Sequence, residues 1–131
     1  MDTRAGISGA EAAFFGGRLE ALPLYERLAE RLLACIPDAS VTVQKTQITF
    51  RNRRVFACAS FQPARRAKDR PNPFLTVTFG LAYRLDAPRI DAAAEPYPNR
   101  WTHHVTLGSV EEVDDELMGW LQEAAAFSAA K

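Results

Sequence analysis

Trp101, His103, Val105 and Leu107 alternate with Thr102, His104 and Thr106. A period of two is the mark of a β-strand with one face covered. The same alternation runs through Leu75, Val77, Phe79 and Leu81, and again through Val55, Ala57, Ala59 and Phe61. Strands of this kind pair antiparallel and need apolar cover on one side only. The rest of the chain has to supply that cover.

Helical signals at both ends supply it. Leu22, Tyr25, Leu28, Ala29, Leu32, Leu33 and Ile36 recur at helical spacing, with Pro23 in the first turn and Pro37 at the stop. Ser8 and Gly16-Gly17 bracket a shorter helix over residues 8–15. Near the other end, Ser109 and Glu112 form a capping box. Val113, Leu117, Trp120, Leu121, Ala124 and Phe127 then line one side of a helix. These signals predict one α+β domain over residues 1–131. N-terminal helices occupy about 8–36, strands about 41–107 and a C-terminal helix about 110–128. An antiparallel sheet of about five strands carries both sets of helices on one face.

Three local details refine this prediction. Val41 and Val43 lie on one parity and Ile48 and Phe50 on the other, so the strand must break or bulge near Lys45. Asn52-Arg53 reads as a hairpin turn. Asp86-Ala87-Pro88 opens a short helix that Pro96 and Pro98 close.

Composition limits function more than it suggests one. Sixteen basic and sixteen acidic residues balance in sum. Their distribution is uneven, at +6 over residues 51–70 and −6 over residues 109–123. Such runs are solvated faces or a dipole that steers an anionic ligand. Cys35 and Cys58 are too few for a disulfide scaffold and fit a reducing cytoplasm. Met1–Gly6 shows no secretion signal, and no apolar run reaches membrane-spanning length.

Placing the apolar residues of each strand inward leaves the other face to Lys45, Gln47, Thr49, Arg51, Cys58, Ser60, Thr76, Thr78, Arg100, Thr102, His104 and Thr106. That face has three bases and no carboxylate, with Phe56 as its one large apolar member. A solvated antiparallel sheet accounts for such a face. So does a shallow site for an anionic or polar small molecule, in which Lys45, Arg51 and Arg100 supply charge. Gln47, the threonines of the face, Thr49 and Thr102 among them, and His104 then supply directed hydrogen bonds. Strand geometry separates the two histidines, turning His103 into the core and His104 onto the polar face.

No metal-binding motif, nucleophile elbow or phosphate loop is present, and no cofactor is implied. Cys58 and His104 share the polar face without a sequence signal that they meet. The expected function is a non-enzymatic binding or accessory module for a small anionic or polar ligand. A nucleic-acid-associated module using residues 51–70 and an enzyme of unrecognised chemistry are the alternatives. A second copy paired through an edge strand is a further candidate partner.

The segments Lys45-Thr46-Gln47-Ile48-Thr49-Phe50-Arg51 and Arg100-Trp101-Thr102-His103-His104-Val105 are distinctive together. With Leu85-Asp86-Ala87-Pro88-Arg89-Ile90 and Asp114–Leu121, they resemble a bacterial family of domains of unknown function that looks related to YdhG-like α+β domains. The resemblance spans roughly residues 10–127. It implies an antiparallel sheet with flanking helices and no particular reaction.

Overall fold

The computed structural model describes residues 7–130, so the reading of Met1–Gly6 lies outside the described residues. Helix α1 spans Gly9–Phe14 and α2 spans Leu22–Cys35. Six strands follow: β1 Ser40–Val43, β2 Gln47–Arg51, β3 Val55–Ser60, β4 Leu75–Leu81, β5 Ala92–Tyr97 and β6 Arg100–Leu107. Helix α3, Asp115–Ala129, closes the chain. The sheet is antiparallel throughout, in the order β1-β2-β3-β4-β6-β5.

Parity placed most of the core correctly, although Phe61 and Trp101 are only half-buried. Ile48, Phe50, Ala57, Ala59, Val77, Phe79, Val105 and Leu107 are all buried. Tyr25 of α2 stacks on Phe50 at 6.2 Å, and Trp120 of α3 stacks on Phe79 at 6.0 Å. Both long helices therefore cover the same face. The parity change near Lys45 is a hairpin, in which the Gln44 N–H donates to the Gln47 carbonyl at 2.8 Å.

Three expectations are corrected. The segment after Asp86 makes only a turn, and residues 92–97 form β5, a sixth strand on the sheet edge. Alanines carry no period that distinguishes helix from strand, and an edge strand tolerates Pro96 because only one side needs its N–H groups. The capping box of Ser109 and Glu112 encloses a single 3-10 turn, Val110–Glu112. Helix α3 starts later, with Asp114 as its cap accepting the Leu117 N–H at 3.0 Å. Phe56 is buried in the apolar cluster, while Val55 is 39% exposed. A register shift at Phe50/Arg51 sets two β3 residues against one of β2 and breaks the alternation there.

Candidate functional site

Strand register arranges the outer face in rows. Thr49, Cys58, Thr78 and His104 stand side by side across four strands. Gln47, Ser60, Thr76 and Thr106 form the next row. Half of these two rows is closed to solvent, since Thr49, Ser60, Thr76 and Thr106 are buried. The segment following β3 covers them in part. The Thr76 hydroxyl donates to the Gln62 carbonyl at 2.7 Å, and the Gln62 N–H donates to Ser60 Oγ at 3.2 Å. Pro71 sits so near Gly108 that a Cβ there would lie 2.6 Å from its ring.

What stays open is a cleft of about 480 Å3. Its floor is Gln47, Cys58, Ser60, Thr78 and His104, and its walls are Lys45, Thr46, Phe14, Phe61 and Gln62. The β1–β2 turn presents Lys45, which is exposed and has no ion pair. Phe14 of α1 stacks on Phe61 at 5.8 Å and gives the cleft an apolar wall. Among the described residues, no carboxylate lines it.

His104 Nδ1 lies 2.8 Å from Thr78 Oγ1, which fixes the ring and leaves Nε2 without a protein partner. Burial lowers the His104 pKa, against the opposing pull of Asp91. The ring is thus neutral at pH 7 and offers one nitrogen to a ligand. Cys58 stands on the other side of Thr78. Burial pushes its thiol pKa up, and a hydrogen bond with Thr78 opposes this without reversing it. Cys58 is therefore a protonated thiol at neutral pH, separated from His104 by a hydroxyl. Among the described residues, no three His, Cys, Asp or Glu side chains cluster as metal ligands.

Of the residues singled out from sequence, Lys45, Gln47 and His104 meet in the cleft. Thr49 lies buried in the His104 row, its hydroxyl donating to the Thr42 carbonyl at 3.3 Å. Arg51 and Arg100 stand at the far ends of their strands, and Thr102 pairs beside Gly80. A strand rises about 3.4 Å per residue, so Arg51 and Arg100 sit about 14 Å along their strands from Gln47 and His104. The cleft keeps Thr78 of the threonines and adds Ser60 to the directed contacts, a selection that needs register as well as parity.

A carboxylate also borders this region from outside the strands. Asp91 precedes β5, donates its N–H to the His104 carbonyl at 2.9 Å and accepts the Thr106 N–H at 2.9 Å. Arg65 holds its other oxygen at 2.8 Å. His103 belongs to the core. It is fully buried, stacks on Phe79 at 5.2 Å and accepts the Leu85 N–H on Nε2 at 2.9 Å.

No curated protein and no solved structure matches the chain. Residues 10–128 match a family model described as Domain of unknown function (DUF5655), so nearly the whole length is covered. The chain belongs to the DUF5655 family.

Proposed function

We propose that the cleft binds a small anionic or polar molecule, and that the protein is a binding or accessory module rather than an enzyme. The carrying observation is the convergence of Lys45, Gln47, Ser60 and His104 on one open cleft of about 480 Å3 that, among the described residues, no carboxylate lines. That volume falls in the usual range for small-molecule sites. Lys45 supplies charge, His104 Nε2 and the hydroxyls supply direction, and Phe14 and Phe61 supply an apolar wall. The protonated Cys58 thiol and the lack of a carboxylate orienting His104 support binding over nucleophilic chemistry. The unpaired thiols of Cys35 and Cys58 support a reducing, cytoplasmic setting, and the resemblance of the distinctive segments supports a bacterial one. The antiparallel sheet with helices on one face supports a YdhG-like kinship.

Thermal unfolding with phosphate, citrate and benzoate as probes tests the reading. At 100 times its dissociation constant, a binding probe adds about 2.7 kcal/mol of stability. Lys45→Ala is expected to weaken that stabilisation, and Arg100→Ala to leave it intact. Failure of all three anions to stabilise the protein, or loss through Arg100→Ala alone, overturns the assignment.

A further inference from the structure

We propose that the end of the sheet away from the cleft is a docking surface for single-stranded nucleic acid. Antiparallel pairing crowds three segments there: the β2–β3 hairpin, the residues after β4, and the β5–β6 hairpin. They carry Arg51, Arg53, Arg54, Arg84 and Arg100. None of the five makes an ion pair, whereas Arg31, Arg65 and Arg89 are each held by a carboxylate. Asp38 lies two residues before Ser40, the pairing partner of Arg51, and Glu95 of β5 and Glu123 of α3 also border the surface. Glu95 accepts the Asn99 N–H at 3.1 Å, and Glu123 accepts the Tyr83 hydroxyl at 2.6 Å.

Arg100 is seated rather than loose. A Cβ on Gly80 would lie 2.8 Å from its guanidinium carbon, so the bare glycine makes room for it in mid-strand. The Phe127 ring flanks it at 5.8 Å. Tyr83 and Tyr97, 44% and 55% exposed, are the exposed aromatic residues among those described, and both stand among these arginines. Charge without exposed rings would suit any polyanion. Arginines for phosphates interleaved with exposed rings for bases suit a single strand, whose bases are unpaired and can stack.

Anisotropy of fluorescein-labelled U15 RNA tests this, with a labelled 15-residue polyglutamate as the polyanion lacking bases. We expect U15 to bind at 50 mM NaCl and to weaken roughly 100-fold by 200 mM, as five phosphate contacts imply. The exposed double variant Arg53→Glu/Arg84→Glu should abolish binding, and Tyr97→Ala should weaken it roughly 10-fold. Lys45→Ala should leave it unchanged. Melting curves of each variant confirm the fold. Absence of U15 binding at 50 mM NaCl overturns the proposal. Equal affinity for polyglutamate overturns it too, as does full retention of binding by the double variant.

Discussion

Protonating His103 removes a hydrogen bond from the fold. Its Nε2 accepts the Leu85 N–H, and a doubly protonated ring has no acceptor to offer. Burial holds the pKa of His103 below its ordinary value of about 6.5, and burial does the same to His104. The unfolded chain therefore takes up protons that the folded chain refuses. This contribution to stability is complete above about pH 6.5 and is lost as the pH falls below it. Urea unfolding should show a lower midpoint at pH 5.5 than at pH 7.5. His103→Leu should cost about 1 kcal/mol at pH 7.5, since the Leu85 N–H loses its partner, and should flatten the pH dependence. A wild-type midpoint that does not move between the two pH values would contradict the account.

At the scale of elements, side chains finish what the backbone leaves incomplete. Asp91 extends the edge of β6 before β5 has begun, taking the Thr106 N–H on its carboxylate and giving its own N–H to the His104 carbonyl. Asp91→Ala strands the Thr106 N–H and the Arg65 guanidinium, and should cost about 1–3 kcal/mol with faster amide exchange in β5. Asp114 caps α3 and is held by Arg89 at 2.8 Å. Burial alone would raise its pKa, yet the Leu117 N–H and Arg89 lower it overall. Asp114→Ala should cost about 1–2 kcal/mol in urea unfolding. Ser109→Ala, which loosens one 3-10 turn, should cost less. Gly108→Ala should destabilise by about 1–3 kcal/mol, since its Cβ meets the Pro71 ring. The local signals of these elements were readable. Stripe, parity and proline positions located α2, β3, β4 and β6. Ser109 and Glu112 read as the start of α3, and nothing local says that Asp114, five residues on, opens it instead. β5 was hidden because Ala92–Ala94 have no alternation, and its pairing depends on β6.

The molecule as a whole separates its charges. The carboxylates of residues 111–116 gather before and within the first turn of α3, where Arg31 and Arg89 neutralise some of them. Near its other end, about 22 Å along a fifteen-residue helix, Ser128 Oγ bonds the Arg54 backbone beside the unpaired arginines. Zero net charge thus hides a dipole. Alternation identified the polar face and His104 on it, because parity is a property of each strand alone. It did not bound the site, because the rows come from register between strands, and register separates Arg51 and Arg100 from the cleft.

Entry of an anion beside His104 and Lys45 is read out by the imidazole 15N spectrum of the protein during titration with citrate. A bound anion should raise the His104 pKa and shift its Nε2 resonance saturably, with His103 unmoved, and Lys45→Ala should weaken the response. An unchanged His104, or a response equal in both histidines, would contradict the account.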